Sequence, residues 1–164
     1  MRSVPKFAER LELATFCSAL GRASVGERRT RIEGNQGAEI EAAVLWVYTD
    51  TETGLPATFT DRFLAIYGPS AAGRRTQTRL RHAKPPEEAL ETTWRFGVPD
   101  VDIADHVNNV AYLRPVADLL LGGSASDGLA FEAEYRRPAS AGPARMLTHD
   151  DRAWFVDGER KTLA

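Results

Sequence analysis

Apolar and polar positions alternate through the first part of the chain with the period of two that half-buried strands require. Phe7, Leu11 and Leu13 share one parity with Arg10 and Glu12 opposite, so residues 7–17 are predicted as a strand. Arg28 to Ile32 is predicted as a second. The strongest alternation in the first half is Ala38–Thr49 (AEIEAAVLWVYT). Ile40, Ala42, Val44, Trp46 and Tyr48 fall on one face there, and Glu39 and Glu41 begin the other. Between these runs, Glu33–Gly37 offers two glycines that tolerate positive φ, which makes the pair an antiparallel hairpin. Thr51–Pro56 is a loop by composition. Phe59, Phe63 and Ile66 at helical spacing predict a short helix over Thr58–Tyr67.

From Gly68 to Glu88 the chain turns polar and reads as a linker, with one edge strand at Thr76–His82. Periodicity resumes at Thr93–Val98, where Trp94, Phe96 and Val98 share a face. A helix is predicted from His106 to Leu121, ended by Gly122-Gly123-Ser124. Its stripe is Val110, Leu113, Val116, Ala117 and Leu120, and Arg114 and Asp118 stand at ion-pair spacing. Pro115 falls inside it, so a kink is expected. Leu129–Arg137 alternates as a strand, with Phe131, Ala133 and Tyr135 against Glu132, Glu134 and Arg136. Ala144–His149 and Arg152–Val156 follow, and Asp157-Gly158 turns the chain into a last strand at 159–163. Strands, one helix and further antiparallel strands make an α+β layout.

Composition narrows the classes of function. The chain has 164 residues, 43% hydrophobic and 27% charged, the balance of a soluble globular protein. A net charge of -2 gives no general attraction to nucleic acid or to an anionic membrane. No apolar run approaches the roughly 20 residues that span a bilayer, and the N-terminus carries no apolar signal core. A single cysteine, Cys17, excludes an internal disulfide and a multi-thiolate zinc cluster. A cytoplasmic protein is expected.

Chemistry concentrates in residues 100–112, DVDIADHVNNVAY. Seven of these thirteen are Asp, His, Asn or Tyr, more than capping a helix requires. The first amides of a helix are unpaired and carry partial positive charge, which suits an oxyanion. A carboxylate beside them can orient or deprotonate a water, or attack a carbonyl. A neutral histidine can donate from one ring nitrogen and accept at the other. Asp and Asn ahead of an apolar-periodic run are also the ordinary signature of an N-cap, and that reading stays open.

The segment Asp100-Val101-Asp102-Ile103-Ala104-Asp105-His106-Val107-Asn108-Asn109-Val110-Ala111-Tyr112 resembles the Asp-x-Asp-x-x-x-His-Val-Asn-Asn-x-x-Tyr signature of acyl-acyl carrier protein thioesterases of the hotdog-fold superfamily. Glu134-Tyr135-Arg136-Arg137 is similar to a strand of the same family. Arg28–Val47 with Thr53-Gly54-Leu55-Pro56 looks like the end of its first repeat. The resemblance implies a tandem double hotdog, each repeat an antiparallel sheet wrapped on a central helix. The first repeat (1–70) would be incomplete, lacking its opening strand and central helix. A linker (71–90) would lead to a second repeat (91–164) holding the helix 106–121. The implied reaction is hydrolysis of a thioester on acyl carrier protein or coenzyme A, by a homo-oligomer without cofactor or metal. Asp102 would be the catalytic carboxylate and His106 would position water or carbonyl. Val107, Asn108 and Asn109 would form the substrate and oxyanion site. This sequence departs from the family at Ala104, where an asparagine stands, and at Pro138 and Ala139, where Glu and Cys stand. Those departures motivate the alternative, a non-catalytic or vestigial acyl-binding hotdog.

Other residues have plainer explanations. Cys17 lies on a strand pattern and reads as a buried structural thiol. His82 falls in the polar linker, and His149 with Asp150-Asp151 reads as a solvated turn. Arg22, Arg28, Arg29 and Arg31 could meet an acidic carrier protein, but Glu27 and Glu33 flank them and favour a solvated strand face. Trp46, Trp94 and Trp154 are expected in a core or a dimer face rather than a ligand cage.

Overall fold

A computed structural model of the chain describes residues 2–22, 24–76, 80–121, 128–157 and 161–164. The glycines 122–123, the Asp157-Gly158 turn and part of the proposed edge strand at 76–82 lie outside these residues. The chain divides into two compact units, Met1–Arg79 with Ser126–Ala130, and Leu80–Ala125 with Phe131–Ala164.

The first unit is a three-stranded antiparallel sheet in the order β1 (Leu11–Leu20), β2 (Val25–Gly34), β3 (Glu39–Val47), followed by helix α1 (Asp61–Ala71). The β2–β3 turn forms as the glycines imply, but the two glycines serve different ends. Gly37 takes φ +102, which only glycine adopts freely, whereas Gly34 makes room. A Cβ there would run into the Glu9 carboxylate and come within 2.7 Å of Ala38 Cβ. Glu9 needs that space because Oε1 accepts from the amides of Gln36 (2.8 Å) and Ala38 (3.0 Å), and Oε2 from Lys6 (2.8 Å). Helix α1 starts where the Thr60 hydroxyl accepts the Phe63 amide at 3.2 Å. It packs along β1 and stacks Phe59, Phe63 and Tyr67 with Tyr48.

The second unit carries a three-stranded antiparallel sheet, β4 (Leu90–Phe96), β5 (Gly142–His149) and β6 (Arg152–Val156), with β5 central. Both faces of this sheet are covered. Phe96, Met146 and Phe155 face one core with Tyr112 and Val107, while Leu147, Trp154 and Val156 face the other. Helix α2 spans Leu113–Leu121 and is preceded by a 3-10 turn, Asn109–Tyr112. The helix therefore begins seven residues later than its periodicity suggested. Pro115 consequently sits in the first turn, where its missing N–H has no partner to lose, so no kink is needed.

Leu129–Arg137 also departs from expectation. Its alternation is real, yet no ladder forms along it. Arg136 and Arg137 N–H both reach Leu163 O, at 2.8 and 3.3 Å, and side chains of Glu134, Tyr135 and Arg136 fasten the stretch further. The chain end completes the sheet instead: Leu163 N–H donates to Phe155 O (2.7 Å) and Phe155 N–H to Ala164 O (2.7 Å). Trp154 is buried and donates to Ala83 O at 2.8 Å, while Trp46 remains half exposed on β3.

Two stability predictions follow from this packing. Phe155→Ala removes a side chain that is 2% exposed, at a cost of about 3–5 kcal/mol in urea unfolding. Gly34→Ala displaces Glu9 from the hairpin turn and lowers the melting temperature, whereas Gly68→Ala, with open space around it, does not.

Candidate active site

The density of polar residues at 100–112 resolves into two layers, one structural and one presented to solvent. Strand β4 ends at Phe96, 1% exposed, and Gly97 leads into a 3-10 turn at Val98–Asp100. Asp100 Oδ2 accepts the Gly97 amide at 2.8 Å, and Oδ1 pairs with the Arg114 guanidinium. With its side chain 11% exposed, Asp100 closes the turn and pins α2. Arg114 therefore pairs with Asp100 rather than with Asp118 as helical spacing had suggested.

Val101 and Val107 then form a β-bridge, and residues 102–106 loop out between them. Asp102 N–H donates to His106 O (2.9 Å) and Asp105 N–H to Asp102 O (3.0 Å). Asp102 Oδ1 accepts the Ala104 amide at 2.9 Å, an Asx turn that holds the carboxylate in one orientation. Asp105 takes φ +59, a left-handed conformation that aspartate tolerates better than most residues. Asp102 and His106 are thus brought to the two ends of one tight loop, and both side chains are exposed.

The amides behind this loop are mostly committed within the fold. Val107 is 5% exposed and its N–H is taken by Ala139 O at 2.8 Å. Asn108 N–H is taken by Asp100 O at 2.8 Å, and its Oδ1 caps the 3-10 turn by accepting Val110 N–H at 2.9 Å. Neither amide is free for a substrate oxygen. The Asn109 amide has no acceptor among the described residues, so it alone of the three could meet one. Because α2 starts at Leu113, any contribution from the axial field of the helix lies beyond this turn.

One support escaped the sequence reading. The Tyr135 hydroxyl donates to Asn109 O at 3.0 Å, and its ring lies 5.6 Å from that of Tyr112. Burial pushes both phenols up, so each stays a neutral donor at pH 7. Glu134, beside it, has a side chain only 8% exposed. It accepts the amides of Arg81 and His82 and pairs with Arg136 at 2.7 Å, while Arg136 also donates to His82 O at 2.8 Å. Burial works to raise this carboxyl, but the two amides and the nearby cations outweigh it and hold it below the usual carboxylate range.

His82, Glu132 and Glu134 bring three potential metal-ligand atoms within 4.8 Å of one another. Glu134 is already saturated by N–H donors and a guanidinium, which makes it a poor ligand for a cation. Cys17 is buried, with Sγ 3.6 Å from Ala19 O, and burial pushes its thiol up, away from nucleophilic use. His149 lies 3.4 Å from Asp150 and 3.6 Å from Glu88 at an exposed turn, as expected for a solvated position.

Comparison with known proteins places the fold. No protein-family model matches the chain. Two uncharacterized proteins of Mycobacterium tuberculosis, from strains CDC 1551 and H37Rv, are each 28% identical to it over 137 residues. The match takes in 80% of this chain and 55% of theirs, so the chain spans about half the length of these curated relatives. Among solved structures, a protein described as an oleoyl thioesterase from Lactobacillus plantarum superposes with a TM-score of 0.68 at 16% identity. The 12:0-ACP thioesterase of Umbellularia californica gives 0.67 at 18%. Each covers 97% of this chain and is itself covered over 66% of its length. An acyl-ACP thioesterase of Bacteroides thetaiotaomicron gives 0.65 at 15%, covering 94% of this chain and 66% of that one. The chain has the fold of these acyl-ACP thioesterases, an α+β hotdog architecture of antiparallel sheets with helix.

The Glu134 cluster yields a pH prediction. A carboxyl held below its unfolded value stabilises the protein above that value and ceases to do so as pH falls through the folded one. Glu134→Gln should therefore cost about 1 kcal/mol in urea unfolding at pH 7, and the difference from the parent should vanish at acid pH.

Proposed function

We propose that the chain is a thioester hydrolase that releases a fatty acid or related acyl group from acyl carrier protein or coenzyme A. The reading places it in the cytoplasm as a homo-oligomer, with its two units as the repeats of a tandem hotdog. The observation that carries it is the Asp102–His106 loop, set on the fold of the acyl-ACP thioesterases. Asp102 is the catalytic carboxylate in this reading. Its Oδ1 is occupied by the Ala104 amide, which leaves Oδ2 to take a proton from water or to attack the thioester carbonyl. His106, at the other end of the loop, orients that water or the carbonyl oxygen. With the amides of Val107 and Asn108 committed elsewhere, stabilisation of the oxyanion falls to the Asn109 amide and the His106 ring.

A second reading keeps the fold and removes the chemistry. Asp102 and His106 are both exposed, and Ala104, Pro138 and Ala139 supply none of the polar groups expected at their positions. A site so open to water does not strengthen its own electrostatics, which is what a non-catalytic acyl-binding protein would show.

Hydrolysis of acyl carrier protein and coenzyme A thioesters by the purified chain decides between them. The hydrolase reading expects Asp102→Asn to lower kcat by at least about 100-fold, and His106→Ala by about 10- to 100-fold, with folding unchanged. Turnover equal in all three proteins removes Asp102 and His106 from the reaction. Acyl-ligand binding without turnover in the parent chain establishes the second reading.

A further inference from the structure

The hydrogen bonds of the turn at 108–111 fall unevenly on its peptide groups. The peptide joining Asn108 to Asn109 accepts the Ala111 amide at its carbonyl (2.9 Å), while its own N–H, that of Asn109, meets no acceptor among the described residues. The next peptide, joining Asn109 to Val110, is held at both ends. Its N–H goes to Asn108 Oδ1 at 2.9 Å, and its carbonyl accepts the Tyr135 hydroxyl at 3.0 Å. The bonds to Ala111 and Asn108 are local to the turn, but Tyr135 comes from 26 residues further along the chain.

Tyr135 reaches that carbonyl because its neighbours fix the backbone on either side. Glu134 accepts the His82 amide at 3.1 Å, and Arg136 N–H donates to Leu163 O at 2.8 Å. The ring then packs 5.6 Å from that of Tyr112, and burial keeps its phenol a neutral donor. A hydrogen bond at this carbonyl limits rotation of the backbone at Asn109, so the neighbouring N–H points one way before a substrate arrives. The Ala111 bond polarises the same peptide from its carbonyl end and strengthens that N–H as a donor.

We propose that Tyr135 is a positioning residue of the candidate site: its hydroxyl, on the Asn109 carbonyl, holds the Asn109 amide in the direction that meets the thioester oxyanion. The role rests on the hydrolase reading and adds to it a group that touches the turn and not the reacting atoms. The amides of Val107 and Asn108 are spent on Ala139 O and Asp100 O. The orientation of the one remaining N–H therefore decides how much stabilisation this turn gives. The field of helix α2 does not enter, because that helix begins at Leu113.

Tyr135→Phe tests it, since the variant keeps the ring against Tyr112 and removes only the hydroxyl. In thioester hydrolysis by the full chain, kcat should fall about tenfold with KM within about twofold, because the amide acts on the transition state rather than on the bound ester. A role in stability alone would lower the melting temperature and leave kcat as it was. The second readout needs no turnover. Amide relaxation by NMR should give Asn109 and Val110 order parameters of about 0.85 in the parent and below about 0.7 in Tyr135→Phe, with β5 unchanged. The proposal is overturned if Asn109 is already flexible in the parent, at about 0.6 or less, or if the variant leaves its order parameter where it was. An active parent whose kcat survives the substitution overturns it too. If the parent hydrolyses no thioester, the Asp102 reading falls by itself, and the order parameters still decide whether Tyr135 holds this amide.

Discussion

Three aromatic rings hold the second unit in register with its candidate site. Phe96 from β4, Tyr112 from the 3-10 turn and Phe155 from β6 meet with centroid distances of 4.9, 5.1 and 5.7 Å, two of the pairs edge to face. The sheet fixes two of these rings, and they in turn fix the third. Tyr112 then sets the position of Asn108 and Asn109, four and three residues before it, and Tyr135 clamps the same turn from its other side. The exposed loop at 102–106 thus stands on a rigid base: its outgoing end enters the core at Val107, which packs in the same cluster.

The division of labour between Asp100 and Asp102 follows from that base. In a continuous strand, residues two apart share a face, and both carboxylates would point the same way. Here the 3-10 turn at Val98–Asp100 interrupts the period, so Asp100 turns inward onto Gly97 and Arg114 while Asp102 starts a solvent-facing loop. One aspartate supplies rigidity and leaves the other available for chemistry.

Much of this fold was legible in the sequence, and the failures share a cause. Six strands announced themselves through alternation, even β3, whose residues are nearly all exposed on both faces. Helix α1 was legible from Phe59, Phe63 and Ile66. Helix α2 was misplaced at its start because Val110 continues the apolar stripe, although Asn108 caps a 3-10 turn there and Val110 itself stays exposed. Leu129–Arg137 alternates like a strand, but pairing depends on a neighbour with free backbone groups, which no local pattern encodes. The candidate site was legible as a cluster of residue types. Which amides remain unspent was not, since the acceptors Asp100 O and Ala139 O are set by tertiary approach.

The segment containing Glu134 and Tyr135 shows what the absence of a ladder permits. A strand in a sheet is all-or-none in its alignment, since a shift by one residue turns every side chain over. This stretch is instead fastened at separate points: Glu134 to two amides, Tyr135 to one carbonyl, and Arg136 to His82 O and Leu163 O. Fastenings of this kind fix single residues rather than a whole register. Each fastening behind the loop can therefore hold its place even if a neighbouring one is lost.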